Sequence, residues 1–345
     1  MEGLRLDAAH LLSLVDSLRN KRVTVVGDLV VDEFVYGRVA RVSREAPVLI
    51  LEYDSTEIVP GGAGNAANNV ASLGGTATLI SAIGRDGPGR RVVAALQRGV
   101  DARRLLRVQS AVTPVKTRIL AGGVHSAKQQ VVRIDRGVTE PVLPDVRQAF
   151  ERKALDAIPQ SDAVLVSDYG SGLITPAFVT TIRRTLKGAR RRDGRPIPVL
   201  IDTRYRLLKY SGLAACTPNE SEVEEALGVR INDNRRMLER AGREVLARTR
   251  HQAVLITRGS RGMALFVRDA PTVHIPIFGS DAIVDVTGAG DTVVSTVALV
   301  LAAGGSIEAA ARLANVAGGL VVMKRGTATV AGAELRRAIE TSDRG

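Results

Sequence analysis

The sequence predicts an α/β fold with a mostly parallel central sheet, and three observations lead to this class. Short runs rich in Val, Ile and Leu alternate with longer amphipathic stretches, which is the order of strands and helices in doubly wound sheets. The short runs are apolar throughout, as strands covered on both faces are. Two pairs of strand-like segments interrupt the alternation with no helix between the members of a pair, and they indicate a small additional sheet.

The elements of the main sheet follow from their periodicity. An amphipathic helix at 8–19 precedes the buried strand at 23–27. The further predicted strands are 79–84, 163–167, 199–202, 214–217, 253–257 and a hairpin-like pair at 263–267 and 272–277. The further predicted helices are 66–73, 88–98, 145–157, 176–187, 234–249, 289–303 and 306–322.

The additional sheet is predicted from alternating segments at 34–42, 48–57, 115–121 and 129–134, with Gly122-Gly123 in the second connection. Four strands are too few to cover both faces, so this sheet should cover a site or pair with another subunit. Because the chain shows no repeat or linker, we expect one domain over 1–345, with a lid inserted at about 34–58 and 113–136.

Composition indicates a globular protein with excess positive charge. Hydrophobic residues make up 45% and charged residues 24% of the chain, and 48 Lys+Arg against 36 Asp+Glu give a net charge of +12. The densest basic cluster, Arg190-Arg191-Arg192, has no aromatic-plus-basic strand motif beside it, so we expect attraction of anionic metabolites and no nucleic-acid partner. The single cysteine, Cys216, allows no intrachain disulfide, and a cytoplasmic location without a membrane partner is expected.

The chemistry is organised around Gly288-Ala289-Gly290-Asp291, which opens the apolar helix at 289–303. A helix N-terminus offers N–H groups without intrahelical partners and the positive end of the helix dipole, and both favour a phosphate. Asp291 then places a carboxylate beside that phosphate, where it would accept the proton of an attacking hydroxyl. The alternative, an acidic residue that only complements the helix dipole, explains Asp291 but not the two glycines.

Two further segments are candidates for binding a sugar. Asp28 and Asp32 follow the strand at 23–27, where α/β proteins bind ligands, although aspartates are also common in turns. Gly61-Gly62 and Asn65 precede the helix at 66–73, where backbone and amide groups would hold sugar hydroxyls; the alternative is a Gly-rich turn with an Asn cap. The dinucleotide fingerprint that this loop formally satisfies is discounted, because the preceding segment belongs to the lid.

Asn219 and Glu222 follow the strand at 214–217 and have two compatible interpretations. They form a capping box pattern, and they are also placed to orient water on a Mg²⁺ that bridges phosphates. No P-loop motif is present, so any nucleotide is held in another way. The four histidines show no metal-ligand spacing.

These motifs together resemble those of ribokinase-like, PfkB-type carbohydrate kinases, in the same order and over nearly the whole chain. The resemblance implies a three-layer α/β/α sandwich with a β-sheet lid, a homodimer through that lid, and ATP with Mg²⁺ as cofactors. It implies that Asp291 is the catalytic base, with Gly288, Ala289 and Gly290 as the anion hole. It assigns Asp32, Gly61, Gly62 and Asn65 to the sugar. It also assigns Asn219 and Glu222 to Mg²⁺ and phosphate, and Thr257, Gly259, Gly262 and Asn315 to the nucleotide. A monovalent cation near Asp285 and Thr287 is a further implication.

Within that family the chain is most similar to bacterial heptose-7-phosphate kinases, which act in the ADP-heptose pathway. Segments 27–32, 41–48, 167–169 and 326–330 carry this likeness, which adds Asp168 to the substrate-binding candidates. Many members are fused to a nucleotidyltransferase with a His-x-Gly-His motif, which is not found here, so the stand-alone form is expected. For the phosphate of the substrate we expect the lid cations Arg41, Arg44, Lys116 and Arg118, although each would equally suit an ordinary charged strand face.

The expected function is therefore ATP-dependent phosphorylation of the anomeric hydroxyl of D-glycero-D-manno-heptose 7-phosphate. Two alternatives remain open at this point. One is a kinase of the same family for another sugar, sugar phosphate or nucleoside. The other is a catalytically silent sugar- or nucleotide-binding regulator, since a fold does not determine a function.

Overall fold

The computed structural model of the chain describes residues 8–122, 128–137, 142–279 and 285–343. In chain order the strands are β1 Arg22–Gly27, β2 Leu29–Val42, β3 Leu49–Gly62, β4 Thr76–Ile80, β5 Ala82–Gly84, β6 Val100–Asp101, β7 Leu106–Val108, β8 Val115–Gly122, β9 Gln129–Arg136, β10 Ala163–Asp168, β11 Val199–Thr203, β12 Ala215–Cys216, β13 Ala253–Thr257, β14 Met263–Val267 and β15 Val273–Ile275. The α-helices are α1 Ala8–Ser17, α2 Ala63–Ser72, α3 Gly87–Ala94, α4 Pro144–Ala157, α5 Pro176–Thr185, α6 Glu220–Leu227, α7 Arg235–Thr249, α8 Ala289–Ala302, α9 Ile307–Val321 and α10 Gly332–Asp343.

The main sheet has the strand order β15-β14-β13-β12-β11-β10-β1-β4-β6. Its strands pair in parallel from β13 to β6, and β14 and β15 add antiparallel edge strands. Parallel strands place their carboxyl ends at one edge of the sheet, which is where ligands bind in open α/β sheets.

Each face of this sheet is covered by its own hydrophobic core. Successive side chains of a strand point to opposite faces, so Leu165 packs with α1, α2, α8, α9 and α10, whereas Val164 and Val166 pack with α4, α5, α6 and α7. Helix α8 is buried along most of its length, which explains why its sequence is apolar on every side. The predicted three-layer sandwich is confirmed.

The lid is a second sheet with the order β3-β2-β8-β9. Strands β2 and β3 form a long antiparallel pair that begins at the edge of the main fold, and β8 runs parallel to β2. The predicted lid strands are confirmed, but Gly123 in their second connection lies outside the described residues.

The structure corrects several predicted boundaries. The strand predicted at 79–84 is two strands, because Ser81 leaves the main sheet: its Oγ accepts from the Leu29 amide at 3.0 Å and its carbonyl from Leu106 at 2.9 Å. The helix predicted at 88–98 ends at Ala94, and the amide of Gln97 donates instead to the Asn68 side chain at 3.0 Å. Helix α6 was indicated only by its capping box, and helix α10 and the short strands β6 and β7 were not predicted. None of the described helices is long and apolar enough to cross a lipid bilayer.

Candidate active site

A cavity of about 990 Å³ lies between the carboxyl ends of the main-sheet strands and the lid. Asp28, Tyr169 and Asp202 lie at or just after the carboxyl ends of three neighbouring strands of the main sheet and line its floor, while Lys116 and Arg118 reach it from lid strand β8. A cavity of this size accommodates a small molecule together with a nucleotide.

The entrance of helix α8 has the geometry of an anion site. Gly288 is the N-cap with a left-handed backbone (φ 79°), and a Cβ there would lie 2.5 Å from Nδ2 of Asn65, so only glycine fits. The Ala289 amide donates within the turn to Val286 O at 3.2 Å. The Gly290 amide has no acceptor among the described residues, and a Cβ at Gly290 would meet no atom within 4 Å outside its own helical turn, so this backbone faces open cavity.

Asp291 lies in the first turn of α8 and is 3% exposed. Its Oδ2 accepts from Nδ2 of Asn65 at 2.8 Å, and its Oδ1 accepts from the Tyr169 hydroxyl at 3.1 Å. Burial raises the pKa of this carboxyl to about 7, against the opposing effect of these two hydrogen bonds, and the charge of Asp32 adds to the increase. A carboxylate with a pKa near neutral is suited to accepting a proton at physiological pH.

Asn65 is a partner of this carboxylate and not a helix cap. Helix α2 begins at Ala63 with Gly62 as its N-cap, and no side chain caps it, so the Asn-cap interpretation is wrong. The orientation of the Asn65 amide follows from its neighbours: Asn69 donates to Oδ1 of Asn65 at 3.0 Å, and Thr292 donates to Asn69 at 2.9 Å. This chain of hydrogen bonds joins α2 to α8 behind Asp291.

Gly61 and Gly62, at the end of β3, pack against Asp32 of β2 and against Asp28, which lies between β1 and β2. A Cβ at Gly61 would lie 2.3 Å from Oδ2 of Asp32, and at Gly62 (φ 56°) it would lie 2.5 Å from the carbonyl oxygen of Asp28. Asp32 forms an ion pair with Arg118 at 2.5 Å, and the Arg118 guanidinium lies 5.3 Å from the Phe34 ring centroid. Asp32 and Arg118 therefore reach the cavity as a neutral pair.

The lid cations divide into two groups. Lys116 faces the cavity with Nζ 5.2 Å from the Tyr169 ring centroid, and burial lowers its pKa while the charge of Asp32 opposes that effect. Arg41 and Arg44 lie at the exposed far end of β2 and in the loop that follows it, and they do not line the cavity of their own chain. The structure thus brings two of the four predicted phosphate ligands to the site.

Asp28 and Asp168 both accept hydrogen bonds from the turn that follows β10. Both oxygens of Asp28 accept hydrogen bonds from that turn, from the Tyr169 amide at 2.7 Å and the Ser171 hydroxyl at 2.5 Å, and burial raises the pKa of Asp28. Asp168 accepts from the Tyr210 hydroxyl at 2.6 Å and does not line the cavity. For Asp168 the structure therefore provides a structural role.

The residues predicted to bind the nucleotide and Mg²⁺ line the end of the cavity near α6 and β13. Asn219 and Glu222 form the capping box of α6, with reciprocal hydrogen bonds of 2.8 and 2.9 Å, and both also line the cavity. Burial raises the pKa of Glu222. The other lining residues here are Thr257, Gly259, Gly262 and Asn315, the last of which donates to the Pro276 carbonyl at 2.8 Å.

Tyr169, Asp202 and Arg204 also line the cavity and were not among the predicted site residues, although Tyr169 lies in segment 167–169. Asp202 is the last residue but one of β11, and burial, together with the charges of Asp291 and Glu222, raises its pKa well above the usual value. The guanidinium of Arg204 makes no hydrogen bond or ion pair with another described residue. The available signal was their position at or just after the carboxyl end of a buried strand, like that of Asp28.

A potential monovalent-cation position adjoins the entrance to α8. The Asp285 carboxylate accepts from the Thr287 amide at 2.9 Å and from the Gly326 amide at 3.0 Å, so each of its oxygens accepts one hydrogen bond. No cluster of three or more His, Cys, Asp or Glu residues with metal-binding geometry occurs in the described ranges. Val284, just before this position, is outside those ranges.

This fold and site are those expected of a phosphotransferase that acts on a small hydroxyl compound: a buried carboxylate and an unpaired amide adjoin each other at a helix N-terminus, under a lid that carries cations. The chain belongs to the pfkB family of carbohydrate kinases, whose family model matches residues 21–333.

Individual proteins agree with this assignment. The protein of Geobacter metallireducens named "Bifunctional protein HldE" is 38% identical over 329 residues, which are 94% of this chain and 64% of that protein. The chain thus spans less than two thirds of that relative's length. Among solved structures, Arabidopsis thaliana ribokinase complexed with ribose and ATP superposes with a TM-score of 0.71 at 19% identity, over 93% of this chain and 99% of that chain. Escherichia coli phosphofructokinase-2 in complex with potassium gives 0.72 at 16% identity over the same shares. These two likenesses establish the ribokinase-like fold.

Proposed function

We propose that this carbohydrate kinase transfers the γ-phosphoryl group of ATP to the anomeric hydroxyl of D-glycero-D-manno-heptose 7-phosphate, giving the 1,7-bisphosphate. Phosphoryl transfer rests on one observation, the buried Asp291 carboxylate beside the free amide of Gly290. The choice of sugar is supported by the relative named HldE and by the segments shared with heptose-7-phosphate kinases.

In the proposed reaction Asp291 accepts the proton of the anomeric hydroxyl as the sugar oxygen forms its bond to the γ-phosphorus and the bond to ADP breaks. The Gly290 amide, with the positive end of the α8 dipole, stabilises the negative charge on the transferring group. The lid excludes water, which would otherwise accept the phosphoryl group and hydrolyse ATP.

The nucleotide end of the cavity fits Mg²⁺, the cation that kinases use to neutralise charge on the phosphates. Asp202 and Glu222 present two carboxylates to this region, and the Asp202 side chain has no hydrogen-bond donor within the described residues. We propose that Glu222 holds Mg²⁺ through water, the usual way for a cation that retains much of its hydration shell. Each oxygen of Asp285 accepts one hydrogen bond and keeps a second acceptor position, so this carboxylate remains a candidate ligand for a monovalent cation near Thr287.

The phosphate already present on the substrate requires cations on the sugar side of the cavity. Lys116 is the strongest candidate, because it faces the cavity without an acidic partner within ion-pair distance among the described residues. Arg118 is neutralised by Asp32, so it contributes as a hydrogen-bond donor more than as a net charge. Arg41 and Arg44 would reach a cavity only through a second subunit.

We propose that such a second subunit pairs through the lid. The outer part of the lid exposes large apolar side chains, among them Val42 at 59%, Tyr53 at 67% and Val131 at 49%. Apolar side chains concentrated on an exposed sheet are typical of an interface. The molar mass measured by light scattering tests this proposal, and a monomer at micromolar concentration would contradict it.

The proposed function is tested by ADP release with a panel of acceptors: heptose 7-phosphate as both anomers, hexose phosphates, ribose and nucleosides. We expect the highest kcat/KM with a heptose 7-phosphate. Activity only on unphosphorylated sugars would contradict the heptose assignment and favour another kinase of the family. No ADP release with any acceptor, while ATP and sugar still bind, would favour a regulator.

A further inference from the structure

Tyr169 is held by contacts from both the main fold and the lid. Its amide donates to Oδ2 of Asp28 at 2.7 Å, and the next turn is fixed by two hydrogen bonds from Ser171 to the same carboxylate. A Cβ at Gly62 would lie 3.3 Å from Cδ2 of the Tyr169 ring, so the glycine leaves just enough room for it. On the lid side, Nζ of Lys116 lies 5.2 Å from the ring centroid.

The hydroxyl of this fixed ring points at the reacting carboxylate. It donates to Oδ1 of Asp291 at 3.1 Å, while Asn65 donates to Oδ2 at 2.8 Å. Each carboxylate oxygen can accept two hydrogen bonds, so one acceptor position per oxygen is occupied and another is left for the substrate hydroxyl. Two donors from different elements thereby fix the rotation of the carboxylate, which one donor alone would not do.

We propose that Tyr169 is a positioning residue for the general base: its hydroxyl orients the Asp291 carboxylate toward the acceptor hydroxyl and favours the ionised form. This inference rests on the proposed function, since it takes Asp291 as the base. Tyr169 keeps its own proton throughout, and the proton of the substrate goes to Asp291.

The charges around the pair determine the sign of the effect. Asp32 from β2 and Asp202 from β11 act on this region with negative charge, and Lys116 from β8 acts with positive charge. Burial and the charge of Asp291 raise the pKa of the Tyr169 hydroxyl well above its usual value, so it remains a donor. A hydrogen bond to an ionised carboxylate lowers the pKa of that carboxyl. Removing the Tyr169 hydroxyl therefore raises the pKa of Asp291 above about 7.

The test is the variant Tyr169→Phe, which keeps the ring packed against Gly62 and beneath Lys116. Because the base must be ionised, kcat/KM of the intact enzyme should fall with decreasing pH below about 7. We call this fall of kcat/KM at low pH the acid limb. In Tyr169→Phe the midpoint of the acid limb should move up by about one pH unit, because a hydrogen bond to a charged group is lost. In the acid range kcat/KM should then be about tenfold below that of the parent protein. The assay is ADP release from about pH 5 to about pH 9 with the best acceptor.

Tyr210→Phe is the matched control, because it also removes a buried tyrosine hydroxyl bonded to a carboxylate, at Asp168, which does not line the cavity. It should lower the free energy of unfolding and leave the acid limb in place. Asn65→Ala removes the other donor and should shift the limb in the same direction, and the double variant should shift it further than either change alone.

Three outcomes separate the possibilities. If Asp291→Asn is inactive and Tyr169→Phe has an unshifted acid limb, with or without a lower plateau, Tyr169 only packs against the site and the positioning role is refuted. If Asp291→Asn retains activity, the proposed function loses its base. If Tyr169→Phe does not fold, Asn65→Ala decides: an acid limb at higher pH supports the proposal that donated hydrogen bonds favour ionised Asp291, and an unshifted limb refutes it.

Discussion

Replacing Gly290 by alanine should make the protein more stable and less active. Gly290 lies inside the first turn of α8 with an ordinary helical backbone, and a Cβ there would meet no protein atom within 4 Å. Glycine in a helix is less stable than alanine by about 0.5–1 kcal/mol, because it loses more backbone entropy on folding. We therefore expect the free energy of unfolding of Gly290→Ala to rise by up to about 1 kcal/mol.

The same methyl group would occupy the space where the proposed mechanism puts the transferring phosphoryl group. Keeping that group away from one anion-hole amide typically costs about 10²–10³-fold in kcat. Gly288→Ala is the informative comparison, because a left-handed residue other than glycine costs roughly 1–2 kcal/mol. Its Cβ would also displace the Asn65 amide that holds Asp291. Gly288→Ala should thus lose both stability and activity.

Urea unfolding followed by circular dichroism measures the stability of both variants, and ADP release measures kcat and the KM for ATP. We expect the free energy of unfolding to rise in Gly290→Ala and to fall in Gly288→Ala, and we expect both variants to lose activity. Wild-type kcat and KM in Gly290→Ala would refute it, since they would show that no substrate atom approaches this backbone. Destabilisation of Gly290→Ala would refute the claim that the cavity is open at that position.

Further predictions concern the base and the lid. Asp291→Asn should lower kcat by about 10²–10⁴-fold while calorimetry shows ATP binding close to that of the parent, because the amide accepts no proton; substantial retained kcat would exclude Asp291 as the base. Lys116→Ala should raise the KM for a phosphorylated sugar more than for its unphosphorylated analogue, whereas Lys128→Ala, a lid lysine paired with Asp54 outside the cavity, should change neither. Equal effects of Lys116→Ala on both sugars would exclude phosphate recognition.

Much of the fold was predictable because each element has its own local signal. The apolar runs of β1, β10 and β13 and the period of α7 and α9 depend only on neighbouring residues, and the structure contains all five. The predictions that failed depend on distant residues. The predicted strand at 79–84 is divided because the Ser81 hydroxyl accepts a hydrogen bond from the Leu29 amide. The predicted helix at 88–98 ends early because the Gln97 amide donates to the Asn68 side chain.

The site shows the same division. The helix start at Gly288, the carboxylate of Asp291 and the capping box at Asn219 could be inferred from the sequence, because each is defined within one turn of chain. The pairing of the lid charges could not be inferred from the sequence. Alternation indicates that Lys116 and Arg118 share a face of β8, but it does not indicate that Asp32 forms its ion pair with Arg118 and not with Lys116.

The sequence by itself therefore determined a mostly parallel α/β fold with a lid, and a carboxylate at a helix N-terminus. Only the tertiary structure decided how that carboxylate is held. Asn65 and Tyr169 lie 226 and 122 positions from Asp291 along the chain, and packing of α2 and of the turn after β10 against α8 brings both donors to one carboxylate. Hydrogen bonds between such distant residues leave no periodic trace in a sequence, because their geometry is set by how elements pack and not by the pattern within any one of them.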